Sequence, residues 1–214
     1  MLPEGWNHTK FGEVFNSSRT KGSSGLPTLS VTMTDGLVAR DSIDRKMDTS
    51  LEADEHLLVR RGDIAYNMMR MWQGASGLAA HDGVVSPAYV VLRAKSKIDP
   101  LFASYLFKSS RAIHDFWSYS YGITDDRLRL YFKDFAAIPV KLPSIAEQRK
   151  IAVILSTWDK AIAVQEKLVA NARAQKKALM QQLLTGKKRL PGFKGKWQDI
   201  RVGDVGDVRH DISV

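Results

Sequence analysis

The longest regular pattern of apolar and polar positions lies in the last third of the chain. Ser144 and Glu147 form a capping box, and neither proline nor glycine follows until Gly186, a residue type that favours a helix C-cap. Between them, eight of the ten positions at heptad spacing are apolar. The ten are Ile151, Leu155, Trp158, Ile162, Gln165, Val169, Ala172, Lys176, Leu179 and Leu183. The pattern predicts one long helix over residues 144–186, about 60 Å long at ~1.5 Å per residue.

A stripe of this length is typical of a helix that pairs with another helix in a coiled coil. We therefore predict a dimer or subunit interface on its apolar members. These are Ile151, Leu155, Trp158, Ile162, Val169, Leu179 and Leu183. The alternative is that the helix lies along its own domain. Gln165 and Lys176 interrupt the stripe and are typical of residues that set the register or orientation of a pair.

Residues 1–143 show the shorter, mixed periods of an α/β globular domain. Strands are predicted over 26–33, 64–68 and 136–142, and a strand, tight turn and strand over 77–80, 81–83 and 84–92. A helix is predicted from a cap at Asp99, with Pro100 first, to about Phe116. The fold class is therefore α+β: a mixed domain followed by one long helix, which we expect to pair with an antiparallel partner.

The chain repeats its own beginning near its end. Residues 6–14 carry Trp, a basic residue, Gly, an acidic residue and Val in the same register as residues 197–205. A single period of about 190 residues is too long for a solenoid repeat. We therefore predict a domain over 1–143, a helix over 144–186, and a linker with the truncated start of a second domain over 187–214.

The charge and residue composition bear on which partners and which cellular compartment to expect. The net charge is +9, yet residues 1–143 contribute only +2 and residues 144–214 contribute +7. A basic surface can serve nucleic acid, an acidic protein or simply solubility. The chain has no cysteine, no apolar run of membrane-spanning length and no signal-peptide pattern at its start, so we expect a soluble cytoplasmic protein.

Several motifs resemble those of type I restriction–modification specificity subunits. The resemblance rests on Leu142–Ala152, on Gln181–Phe193 at the helix end, and on the opening residues 2–14. It extends to residues 66–77, 84–89 and 122–140, and so covers essentially the whole chain.

The resemblance implies a subunit without catalysis of its own. Such subunits carry two target-recognition domains, each reading half of a bipartite DNA site, separated by an antiparallel helix pair that sets the spacing. They dock methyltransferase subunits, which bind S-adenosylmethionine, and translocase–nuclease subunits. Since this sequence holds one domain and one long helix, we expect a two-fold homodimer that reads an inverted repeat. No cofactor is expected on this chain.

Candidate DNA contacts lie in three predicted loops. The first holds Asn67, Arg70, Trp72 and Gln73, and includes the side-chain types that read guanine and adenine. The second holds Tyr119, Tyr121, Arg127 and Arg129, and the third Lys21 and Ser23. Each has a structural alternative: core packing for Trp72, a carboxylate partner for Arg70, and packing or plain surface roles for the other loops. Near the helix end, Lys176, Lys177, Lys187, Lys188 and Arg189 could contact phosphates or an acidic face of the methyltransferase.

The motifs of catalysis are missing from the sequence. No two prolines are adjacent, as an adenine methyltransferase motif would require, and no phosphate-binding glycine loop occurs. The five histidines lack metal-ligand spacing, and Asp44-Arg45-Lys46 is a nuclease-like fragment that chance explains. The remaining alternatives are an autonomous nuclease or methyltransferase with degenerate motifs, and a coiled-coil decoy that does not bind DNA.

Overall fold

The computed structural model describes residues 5–43, 55–124 and 127–204. Two compact units divide at Thr157, the first comprising residues 1–157 and the second residues 158–214. Residues 2–4 and Val205 of the sequence repeat, and the Asp44–Lys46 fragment, lie outside the described residues.

A four-stranded antiparallel sheet forms the centre of the first unit. Its strand order is β2-β9-β6-β7, and among the described residues there are also three two-stranded pairs. The strands of the sheet are β2 (Phe15–Ser18), β6 (Ile64–Asn67), β7 (Ser76–Leu78) and β9 (Tyr89–Ala94). The two-stranded pairs are β1 (Asn7–Lys10) with β10 (Pro139–Leu142), β3 (Leu29–Val31) with β4 (Leu37–Ala39), and β5 (Leu57–Val59) with β8 (Gly83–Val85).

The strand, tight turn and strand predicted over residues 77–92 do not form a hairpin. β7 pairs with β6, whereas β8 pairs with β5, so the strands on either side of the 81–83 turn do not pair with each other. The predicted strand over 84–92 is two strands, β8 and β9, because residues 86–88, including Pro87, interrupt it. Alternation of apolar residues located β7, β8 and β9 but could not assign their partners.

The described part of the first unit also contains the short helices α1 (Phe11–Val14), α2 (Pro100–Leu106), α3 (Ser110–Ser118) and α4 (Phe132–Ala137). The Asp99 cap is confirmed, since its carboxylate accepts from the Phe102 amide at 2.9 Å. The single helix predicted to Phe116 is wrong, because the Ser109 hydroxyl accepts from the Ala112 amide and starts a second helix. Residues 136–137, predicted as strand, belong to α4.

The core of the first unit is aromatic. Phe11 stacks on Phe135 with ring centroids 4.7 Å apart, and Phe107 meets Phe135 edge to face at 5.7 Å. All three rings are fully buried or nearly so. Aromatic pairs in these geometries add to the free energy gained from burial alone. A compact domain therefore forms around residues drawn from α1, α4 and the α2–α3 turn.

The long helix α5 (Ile145–Leu183) confirms the predicted helix. The Glu147 amide donates to the Ser144 hydroxyl, as the capping box requires. At the start of the helix, the buried Gln148 side chain donates to the carbonyls of Lys97 and Pro143 and accepts from the Asp99 amide. Gln148 and Ala152 are the buried residues described in this helix.

The second unit begins at Trp158 and contains the rest of α5. Gly186 has a φ of 71°, the left-handed conformation predicted for a C-cap. The indole of Trp197 packs on this glycine so closely that a Cβ would lie 2.6 Å from its Nε1 atom. The guanidinium of Arg189 lies over the same ring at 5.6 Å. Trp197, which the sequence repeat assigns to the start of a second domain, here packs on the end of the helix.

Candidate nucleic-acid interface

Two of the three predicted DNA-contact loops leave the central sheet at the same end. β2 and β6 are both antiparallel to β9, with Ser18 opposite Val91 and Asn67 opposite Tyr89. The chain therefore leaves β2 and β6 at the end of the sheet where β9 begins. The loop with Lys21 follows β2, and the loop with Arg70 follows β6.

The third loop is joined to this end by backbone hydrogen bonds. The Leu130 amide donates to the Met68 carbonyl at 2.9 Å. Tyr121 and Arg129 exchange two backbone hydrogen bonds, which close the intervening loop. Glycine is required at 122, since a Cβ there would lie 2.7 Å from the Arg127 backbone. Tyr121, Arg127 and Arg129 are exposed, whereas Tyr119 packs against the core.

The loop after β6 is held in shape by its own side chains. The Asn67 carboxamide oxygen accepts from the Met69 amide at 3.0 Å, and the Trp72 indole donates to the Met69 carbonyl at 3.0 Å. Arg70 is exposed, and its guanidinium donates to the Gln73 carboxamide oxygen at 3.2 Å. Asn67 and Trp72 thus have structural roles here, while Arg70 and Gln73 present a paired set of donors and acceptors.

Lys108, which the sequence did not single out, forms a hydrogen bond that holds this loop at Gly74. Its ammonium donates to the Gly74 carbonyl at 2.7 Å and to the Met33 carbonyl at 3.4 Å. Burial lowers the pKa of Lys108. Gly74 itself has a φ of 84°, which favours glycine, and its α-carbon faces Ile113 of α3. The contacts of Gly74 with Lys108 and Ile113 hold the end of the loop that contains Arg70 and Gln73.

Lys21 and Ser23 are exposed, as a contact loop requires. Lys21 forms an isolated antiparallel bridge with Leu57, and the Gly22 amide donates to the His56 carbonyl at 2.8 Å. The loop is therefore tied to the strand region around β5.

A groove of about 500 Å³ adjoins all three loops. Its lining includes Arg19, two residues before Lys21; Met68, two residues before Arg70; and Tyr131, two residues after Arg129. Lys133 adds a second cation. The sequence pattern does not single out Arg19, Tyr131 or Lys133, because each lies just outside a predicted loop and only the folded sheet brings them together. The available signal was a cation or aromatic residue beside two of the loops: Arg19 before Lys21, and Tyr131 and Lys133 after Arg129.

Comparison with known proteins agrees with this architecture. A profile of the family described as "Type I restriction modification DNA specificity domain" matches residues 3–172. The chain belongs to this family. Specificity subunits of type I restriction–modification systems are targeting subunits without catalysis of their own.

Individual relatives are distant in sequence. The chain is 26% identical over 167 residues to the type I restriction enzyme MjaVIII specificity subunit of Methanocaldococcus jannaschii, covering 75% of this chain and 36% of that protein. It is similar in fold to the HsdS subunit of Thermoanaerobacter tengcongensis, with a TM-score of 0.61, 20% identity, and coverage of 90% of this chain and 52% of that one. A chain from a study of complex assembly in a type I R-M system gives a TM-score of 0.56 at 19% identity, covering 85% and 45%.

The specificity-domain chain spans 36% of its curated relative and about half of the solved subunits. The solved structures agree with the α+β class, a sheet-rich domain followed by a long helix.

Two further observations concern the chemistry of the specificity-domain chain. Within residues 5–43, 55–124 and 127–204, no group of three or more His, Asp or Glu side chains could hold a metal ion. No helix in the same ranges is long and apolar enough to cross a membrane.

The predicted interface residues divide into two groups on α5. Ile151 is half-buried and packs against the core of the first unit. Leu155, Trp158, Ile162, Val169 and Leu179 are exposed, and Leu183 is half-buried. The exposed part of the apolar stripe therefore begins at Leu155 rather than Ile151.

Proposed function

We propose that the chain recognises one half of a bipartite DNA site for a type I restriction–modification complex. The observation that supports this most is that three loops, chosen separately from sequence, adjoin one cationic groove in the folded domain. Arg70 and Gln73 are the proposed base-reading residues, because Arg suits guanine and Gln suits adenine in the major groove. Lys21, Ser23, Tyr121, Arg127 and Arg129 are proposed to contact the backbone or neighbouring bases.

We further propose that two copies of the chain pair through α5 in an antiparallel arrangement. Leu155, Trp158, Ile162 and Val169 lie on one exposed stripe of α5, and a partner helix would remove them from water. A two-fold pair carries two recognition domains, so its target is an inverted repeat. Capture of the same stripe by methyltransferase subunits is the alternative assembly.

The proposed partners are double-stranded DNA, methyltransferase subunits that carry S-adenosylmethionine, and translocase–nuclease subunits. The basic residues of the second unit are proposed to contact phosphates between the half-sites or an acidic face of the methyltransferase. These are Lys176, Lys177, Lys187, Lys188 and Arg189, and all are exposed.

The experiment is to select bound sequences from a random duplex library with the full chain, alone and together with its cognate methyltransferase. Arg70→Ala should relax the selected sequence at one base per half-site, since a lost bidentate contact costs ~1–3 kcal/mol of discrimination. Arg61→Ala is the matched control, because Arg61 is also exposed but precedes β6 and lies at the other end of that strand.

An unchanged motif with uniformly weaker binding would demote Arg70 to a phosphate contact, and the 119–129 loop would become the better base reader. Methyl transfer by the purified chain without a partner would overturn the targeting role. Failure to bind any duplex would favour a non-binding decoy.

A further inference from the structure

The groove that adjoins the three loops differs in charge from a second concave site of the first unit. Arg19 and Lys133 lie on its rim, and no acidic side chain occurs among the described residues that line it. The neighbouring Asp134 carboxylate adds to the effect of burial in raising the pKa of Tyr66. By contrast, the cavity beside Trp6 is lined by charges of both signs, including Arg111 and Asp115, which pair at 3.0 Å.

We propose that this groove seats one sugar–phosphate strand of duplex DNA, with Arg19 and Lys133 on successive stretches of its phosphates. The inference rests on the proposed DNA recognition and assigns residues to the backbone part of it. The occupant follows from charge complementarity and from the lining residues Arg19, Met68 and Tyr131, which lie two residues from Lys21, Arg70 and Arg129. A polyanion held by those loops would therefore pass close to the groove. Backbone strands are the convex ridges of a duplex, and a concave cationic surface complements such a ridge.

The remaining lining residues suit the non-charged parts of a DNA strand. Met68 and Phe132 offer apolar surface to deoxyribose carbons, while Ser17, Tyr89 and Tyr131 carry hydroxyls that can donate to phosphate oxygens. Tyr131 is 45% exposed, so its hydroxyl is accessible without rearrangement of the core.

This arrangement divides the interface into two kinds of contact. The groove fixes the register of the domain on the duplex, independently of sequence, while Arg70 and Gln73 reach base edges from the adjoining loop. Changes in the groove should weaken binding to all duplexes equally and reduce its dependence on salt. Changes at Arg70 should alter sequence preference.

The test measures binding of the full chain to a random-sequence duplex over a series of salt concentrations. Arg19→Gln and Lys133→Gln should each lower the slope of log affinity against log salt by about 0.9, and the double variant by about twice that. Arg19→Lys should restore the slope, since it keeps the charge. Arg61→Gln and Lys141→Gln are the matched controls, because both side chains are exposed but neither lines the groove.

A second measurement distinguishes backbone contacts from base contacts. The DNA motif selected by Arg19→Gln and by Lys133→Gln should equal that of the wild type. Unchanged slopes in both groove variants would overturn the groove assignment while leaving the proposed recognition intact. Equal losses in the control variants would also overturn it, because binding would then be spread over the surface. A wild-type chain that binds no duplex would overturn both this inference and the proposed function.

Discussion

Phe135 in the first unit and Trp158 on the long helix are both large aromatic residues, yet Phe135 is fully buried and Trp158 is 66% exposed. The difference extends to their neighbours. The first unit surrounds Phe135 with other buried rings, whereas α5 exposes a row of large apolar side chains from Val153 to Met180. The first unit buries most of its large apolar residues, whereas most of those on α5 are exposed. We therefore expect the stability of α5 to depend on a second helix.

The largest expected effect is on the first unit alone. Phe135→Ala removes the ring at the centre of the aromatic cluster and should lower the free energy of unfolding of that unit by about 3–5 kcal/mol. Association through α5 should survive at temperatures where the unit remains folded. Thermal unfolding followed by near-ultraviolet circular dichroism measures the first effect, and sedimentation the second. A loss of association in the still-folded variant would show that the two regions are not independent.

The converse change targets the helix. Leu155→Glu together with Ile162→Glu places two carboxylates on the exposed stripe, where pairing would bury them, and should weaken dimerisation a hundredfold or more, about 3 kcal/mol. The unfolding temperature of the first unit should stay the same. Sedimentation over a concentration series measures the dissociation constant.

Ala174→Glu with Gln181→Glu is the matched control, since both positions lie outside the heptad stripe and are exposed. Equal weakening by the control pair would mean that charge, and not the stripe, governs association.

A smaller effect is expected at Gln148, where α5 begins. Gln148→Ala leaves the Asp99 amide and the Lys97 and Pro143 carbonyls without the partner seen here, which should destabilise the first unit by about 2 kcal/mol. Chemical denaturation measures it. Arg149→Ala is the control: its exposed guanidinium reaches Asp99 only at 3.9 Å, so little change is expected. Equal losses in both variants would contradict the role assigned to the Gln148 carboxamide.

The smallest effect concerns the buried Tyr66, whose hydroxyl donates to the Leu130 carbonyl at 3.2 Å. Tyr66→Phe should cost about 1 kcal/mol near neutral pH. Burial, and secondarily the charge of Asp134, raise the pKa of Tyr66 in the folded state. Since the unfolded chain then loses its proton first, stability should fall as pH rises above about 10.

Tyr66→Phe should therefore lose part of that alkaline dependence, as seen in denaturation at neutral and alkaline pH. An identical alkaline slope in both proteins would assign the dependence to other groups.

The same comparison explains which features could be predicted from sequence. The long helix and its Ser144 and Gly186 caps depend on local periodicity and local hydrogen bonds, and the structure confirms them. The break at Ser109 was missed, because the Lys108-Ser109-Ser110-Arg111 run lies between apolar residues that suit one continuous helix, and the serine alone does not reveal that it caps a second one.

Long-range pairing was harder to predict. β8 pairs with β5, more than twenty residues earlier, rather than with the adjacent β7, and no pattern within either strand specifies that choice. The groove has the same origin: Arg19 and Tyr131 lie more than a hundred positions apart in the sequence and meet only through the register of the sheet and the contact of Leu130 with Met68.

The central claim, that α5 is completed by a second copy of the chain, is tested most directly by hydrogen exchange as the wild-type protein is diluted. At tens of micromolar, light scattering should give about twice the 24.0 kDa chain mass, and the amides of residues 158–183 should be protected. On dilution to nanomolar concentrations these amides should lose protection, while those of β6 and β9 keep theirs. A single-chain mass at the higher concentration, with the same protection of α5 at both, would contradict the account.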